Sequence, residues 1–201
     1  MSKEKYVNFT QESLTSESSK GSIGGGVCLG YCIEYIKYFK KYGTSDSIAK
    51  GFGLPEGSGL KESLLDTGEK SISTQYQTGG DVDNLFGKKR ELELLGFNVV
   101  VGIDNLGSKV ATVAEIKSSS RFAFHILYFS VWKGASTPPA WHVVVLKGNG
   151  WEGIGFSRIF YAMDPNQGIW RISGTDSLGD WYGSDISALY VPFHLRVYTI
   201  T

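Results

Sequence analysis

Between Arg121 and Thr199 the chain carries five segments dense in aromatic and β-branched residues. They are Arg121–Trp132, Ala140–Lys147, Ser157–Met163, Gly168–Ile172 and Leu189–Thr199. Such segments read as strands. Turn-forming residues lie between them: Gly134 to Pro139, Gly148-Asn149-Gly150, Pro165-Asn166-Gln167-Gly168 and Gly179 to Gly183. Short strands joined by short turns specify an antiparallel sheet. That constraint governs everything the rest of the chain can do.

The residues before Arg121 read differently. From about Val27 to Tyr42, Cys28, Cys32, Tyr35, Ile36 and Phe39 recur at helical spacing and form an apolar stripe. Lys37, Lys40 and Lys41 suit its C-terminal half, and Gly43 is a natural stop. Asp81 to Gly96 reads as a second helix on Val82, Leu85, Phe86, Leu92 and Leu95, ended by Gly96 and followed by a strand start at Phe97–Val101. Gly- and Ser-rich Ser45–Gly79 holds only weak helical stretches, near Ser47–Phe52 and Leu60–Thr67. Lys109–Ser118 fits helix or strand. Helices first and an antiparallel sheet later make a single α+β domain over 23–201. Residues 1–22, polar and rich in Ser, Glu and Lys, read as a flexible leader.

Composition excludes several functions. Lys+Arg and Asp+Glu are both 20, so no net charge pulls the chain toward nucleic acid or an anionic membrane. No apolar run approaches the about 20 residues of a membrane-spanning helix, and the N-terminus lacks the apolar core of a secretory signal. The two cysteines, Cys28 and Cys32, lie one helical turn apart. That spacing suits a disulfide poorly and implies a reduced working compartment. Three scattered histidines give no metal-binding spacing, and Gly24-Gly25-Gly26 lacks the Lys-Ser/Thr of a phosphate-binding loop. We therefore expect no metal and no cofactor. Trp141, Trp151, Trp170 and Trp181 read most simply as core.

Cys28 stands apart from Cys32. It begins the first helix behind three glycines. Glycine lets a backbone approach a ligand closely, and a helix N-terminus stabilises a thiolate. Cys32, one turn further in, reads as a small core residue. Of the histidines, His125 lies inside the very apolar run Phe122–Leu127, and His194 in the last strand; both read as structural. His142 opens the strand Trp141–Leu146 and reads as a base at a sheet edge. Asp164 ends the strand Ile159–Met163 at the turn Asp164-Pro165-Asn166-Gln167-Gly168. By itself that turn needs only backbone bonding by Asp and Asn and positive φ at Gly. Together, a nucleophile on a helix start, a base on one strand and a carboxylate on the next satisfy the logic of a catalytic triad.

This constellation resembles the papain-like cysteine peptidases, and within them the bacterial effector peptidases of the YopT and AvrPphB type. The residues that carry the likeness are Gly25–Gly30, His142 at the head of a Val-rich strand, and Phe160–Gly168. The resemblance implies a papain-like fold with N-terminal helices packed on a C-terminal antiparallel sheet. It implies a thiol protease acting on a protein or peptide through Cys28, His142 and Asp164. It also implies a virulence effector or toxin, made in a bacterial cytoplasm and secreted into a host or target cell. Papain-like enzymes place a Gln or Asn shortly before the cysteine as an oxyanion donor. Here the neighbours are Ser22, Ile23 and glycines. The Cys28 N–H is then joined by Ser22, Gln11 or Asn8, or the hole is built differently. Three alternatives stay open: glutamine deamidation or cross-linking, removal of a leader after Gly-Gly, and a non-catalytic binding module on the same fold.

Overall fold

Three strands hold apolar residues on both sides, so the sheet they build must be covered twice. Phe124–Phe129, Val143–Leu146 and Ile159–Met163 are continuous runs rather than alternations, and nearly every residue in them is buried. In the computed structural model, which describes residues 2–7, 28–42, 88–105, 109–118, 123–131, 140–152, 157–190 and 192–201, they lie at the heart of one sheet. The strands are β1 (Ser2–Val7), β2 (Val99–Asn105), β3 (Phe124–Val131), β4 (Ala140–Glu152), β5 (Ser157–Asp164), β6 (Gly168–Ser173) and β7 (Pro192–Ile200). Their order is β1-β6-β5-β4-β3-β7-β2, and every pairing is antiparallel.

Each face carries its own core. On one, α1 (Cys28–Tyr42) lies across β4 and β5. Its Leu29, Cys32, Ile33 and Ile36 pack with Ile126, Tyr128, Val143, Val145 and Met163, and Leu92 of α2 (Lys88–Leu94) joins them. On the other, α3 (Lys109–Ser118), α4 (Thr175–Trp181) and the π-helical turn Tyr182–Ser187 supply Val113, Ile116, Leu178, Trp181, Tyr182 and Ile186. These meet Leu127, Phe129, Val144, Leu146, Phe160 and Ala162. A short turn of helix, α5 (Ala188–Tyr190), leads into β7.

The reading of N-terminal helices on a C-terminal sheet therefore fits α1 and is incomplete on the other face, which α3, from between β2 and β3, covers together with helices from between β6 and β7. α1 is also more buried than a single stripe requires. Leu29, Tyr31 and Ile33 are enclosed along with Cys32, Tyr35 and Ile36. Glu34 is nearly buried too and pairs with Lys37 at 2.8 Å.

Two expected turns are not turns. β4 runs straight through Gly148-Asn149-Gly150. Its register against β5 shifts between Lys147 and Gly150, so the glycines make a bulge in a long strand. Gly179–Gly183 is helical because Leu178, Trp181, Tyr182 and Ile186 recur at helical spacing and bury together. That burial outweighs the low helix propensity of glycine. Leu189 lies in α5 rather than in the last strand.

Lys109–Ser118 resolves as helix. Gly96, at φ +85°, closes α2 with the Gly96 N–H bonded to Glu93 O (2.9 Å) and the Phe97 N–H to Leu92 O (3.2 Å). Within the segment read as a leader, Ser2–Val7 forms β1, an edge strand on β6. Lys5 Nζ sits 4.8 Å from the Trp170 ring centroid, and Lys3 bonds Asp185 at 2.6 Å. Lysines on an edge strand discourage pairing with another chain. The rest of that segment, Ser45–Gly79 with its weak helices, residues 81–87 and the Gly134–Pro139 turn lie outside the described residues.

Candidate functional site

Cys28, His142 and Asp164 come from three elements and meet at one point. Cys28 is the first residue of α1. His142 is the third residue of β4, which is the central strand of seven and not an edge, as its sequence position had suggested. Asp164 is the last residue of β5. Because β4 and β5 are adjacent and antiparallel, with Val145 opposite Met163, the start of β4 lies beside the end of β5. The turn that follows keeps the carboxylate there. The Asn166 N–H donates to Asp164 Oδ1 (2.8 Å), the Gln167 N–H to Asp164 O (3.0 Å), and Gly168 takes φ +106°.

The imidazole meets the carboxylate directly: His142 Nε2 is 2.8 Å from Asp164 Oδ1. Nδ1 is thereby left as the nitrogen available to Cys28, which helps to raise the pKa of the same ring. All three residues are buried; Cys28 is 1% exposed and Asp164 0%. Charges interact strongly in such a place. Burial alone would lower the His142 pKa. The Asp164 charge and hydrogen bond, with a smaller contribution from Cys28, outweigh it and raise the value to about 9. Burial likewise opposes the Asp164 charge, but His142, the Asn166 N–H and the Tyr190 hydroxyl hold that carboxyl below its usual range. The site thus favours an imidazolium beside a carboxylate, with a thiol on the ring.

Around this pair stand residues that the sequence did not single out. Tyr190 of α5 stacks on His142, with ring centroids 4.5 Å apart and planes 26° from parallel. Its hydroxyl donates to Asp164 Oδ2 at 2.8 Å. Gln167 Nε2 donates to the same oxygen (2.9 Å) and to the Asp185 carbonyl in the π-helical turn (2.9 Å). Phe129 stands edge-on to His142 at 5.6 Å. Gln167 was visible as part of the Asp-Pro-Asn-Gln-Gly turn. Tyr190 carried no such signal, because it falls where a strand was expected.

The other candidates lie elsewhere. Cys32 is fully enclosed, its thiol 3.5 Å from the Val143 carbonyl. Burial, then the charges of Cys28 and Asp164, push its pKa up, so it stays protonated. His125 is buried in β3 with Nδ1 3.1 Å from Thr199 Oγ1, and burial lowers its pKa to about 4. His194 belongs to β7. Ser22, Gln11 and Asn8, the oxyanion candidates, are outside the described residues. Among the described residues no group of three or more His, Cys, Asp and Glu could hold a metal ion. No described helix is long and apolar enough to cross a membrane.

No protein-family model and no curated protein matches the chain. The fold does match a solved structure. It is similar to the crystal structure of the Pseudomonas avirulence protein AvrPphB, with a TM-score of 0.51 and 14% sequence identity. The match covers 87% of this chain and 91% of that one. At that identity the likeness speaks for the fold alone, a mixed helix and antiparallel-sheet arrangement.

Proposed function

We propose that this protein is a cysteine peptidase that hydrolyses a peptide bond in a protein substrate. The observation that carries the reading is the buried His142 Nε2–Asp164 Oδ1 contact of 2.8 Å with the Cys28 thiol on the same ring. The fold likeness to AvrPphB supports it. In this reading Cys28 is the nucleophile, His142 the acid and base, and Asp164 the group that holds the ring charged and oriented.

The Cys28 thiolate attacks the scissile carbonyl carbon, and the electron pair of the C=O bond moves onto oxygen. The Cys28 N–H at the start of α1 faces that oxyanion. When the tetrahedral species collapses, the C–N bond breaks and His142 gives its proton to the leaving amine. The neutral imidazole then takes a proton from water, whose oxygen attacks the thioester. The second collapse releases the acid and restores the thiolate–imidazolium pair. By the same likeness the chain acts as a bacterial effector, exported to reach a protein of another cell.

A diverse peptide library digested by the wild type and by Cys28→Ser, read by mass spectrometry, tests this. New termini with the wild type and none with the variant are expected. Glutamines that gain about 1 Da without new termini would replace hydrolysis of peptide bonds by deamidation. No change in any peptide would leave the fold as a binding module.

A further inference from the structure

Each oxygen of the buried Asp164 carboxylate receives two hydrogen bonds. Oδ1 takes His142 Nε2 (2.8 Å) and the Asn166 N–H (2.8 Å). Oδ2 takes Gln167 Nε2 (2.9 Å) and the Tyr190 hydroxyl (2.8 Å). A carboxylate has about four lone-pair sites, so this one is filled. The four donors are not equivalent. Asn166 and Gln167 belong to the turn that Asp164 begins, and they move with it. Tyr190 arrives from α5, on the far side of the π-helical turn. It therefore ties the carboxylate to a separate part of the fold.

The Tyr190 ring does a second thing. It lies nearly flat on the His142 imidazole at 4.5 Å, and Phe129 stands edge-on to His142 at 5.6 Å and tilted against Tyr190 at 5.4 Å. An aromatic face over an imidazolium favours its charge and keeps water away from it. Tyr190 thus touches both members of the buried pair.

We propose that Tyr190 is a positioning residue for this site: its hydroxyl fixes the Asp164 carboxylate and its ring caps His142, so that the imidazole stays directed at Cys28. For its effect on turnover the proposal rests on the peptidase reading; for its effect on His142 it does not. Tyr190 takes no part in proton transfer. Burial, then the Asp164 charge, push its own hydroxyl above the usual value, so it remains a donor at every working pH. The groups facing His142 are Cys28 from α1, Asp164 from β5, Phe129 from β3 and Tyr190 itself. Of these Asp164 carries the negative charge, and Cys28 and Tyr190 are the other titratable groups.

Tyr190→Phe keeps the ring and its stack and deletes only the hydroxyl. In this variant Asp164 loses one of its four donors, and the His142 pKa, followed by NMR of the imidazole protons, should move by about half to one unit. Turnover of a cleaved peptide should fall about five- to twentyfold in kcat with KM moving less than about twofold. Its melting temperature should stay within a few degrees of wild type. Tyr190→Leu loses the stack as well, and its His142 should titrate below that of Tyr190→Phe. Should that second variant not fold, Tyr190→Phe decides alone. An unchanged His142 pKa in Tyr190→Phe overturns the proposal, whatever the rate does. If the wild type cleaves no peptide, the peptidase reading fails, and the His142 titration still decides the role of Tyr190.

Discussion

Two histidines sit on the adjacent strands β3 and β4, both buried, and the fold drives them in opposite directions. His125 is shut away with a hydroxyl, Thr199 Oγ1 at 3.1 Å, and its pKa drops to about 4. His142 is shut away with a carboxylate, Asp164 Oδ1 at 2.8 Å, and its pKa rises to about 9. Burial disfavours the charged ring in both. A hydroxyl gives back too little to reverse that cost, whereas a carboxylate, with a smaller contribution from Cys28, reverses it. The difference separates a histidine that fills a core from one able to carry a proton between reacting groups. It comes from the partner and not from the depth of burial.

The comparison breaks most sharply under truncation of the site. His142→Ala and Cys28→Ala should each lower peptide turnover by about a thousandfold or more, while His125→Gln should leave it within about twofold. Equal losses in His142→Ala and His125→Gln would erase the distinction. Next in size is Asp164→Asn, which keeps the shape and removes the charge. Turnover should fall by about a hundred- to ten-thousandfold, since the ring loses the group that holds it charged.

Stability against pH sharpens the same contrast. The His142 pKa is raised above its unfolded value near 6.5, so its contribution is complete below pH 6.5 and is lost as the pH climbs through about 9. The His125 pKa is lowered, so its contribution is present above pH 6.5 and is lost as the pH falls through about 4. For His125 the shift corresponds to about 3 kcal/mol. Urea melts of the wild type should therefore weaken between pH 6.5 and 4, and His125→Gln should flatten that interval. The smallest effect belongs to the far edge of the sheet. Lys3→Ala, which removes the part-exposed Lys3–Asp185 pair, should cost under about 1 kcal/mol in the same melts.

Much of this site could be read from the chain. The Asp164–Gly168 turn was legible because Asp, Asn and Gly each have one local job there. His142 was legible as a strand-head histidine, yet its strand was placed at an edge. The apolar runs of β3, β4 and β5 already argued for a sheet buried on both faces and so for a central position. Helices around Gly179 and Gly183 were hidden because glycine is a strong local turn signal. The burial of Trp181, Tyr182 and Ile186 that overrides it exists only once the sheet is there. Tyr190 was invisible for a related reason. Its partners, His142 and Asp164, are distant in sequence, and nothing next to Tyr190 marks it.

The most direct measurement is an NMR titration of the three histidines in the wild type and in Asp164→Asn, with resonances assigned through His125→Gln and His142→Ala. His142 should titrate near pH 9 in the wild type and fall to 6.5 or below in Asp164→Asn, while His125 stays near 4 in both. A wild-type His142 that titrates at or below 6.5, or one that Asp164→Asn does not move, would contradict the charged pair on which the site depends.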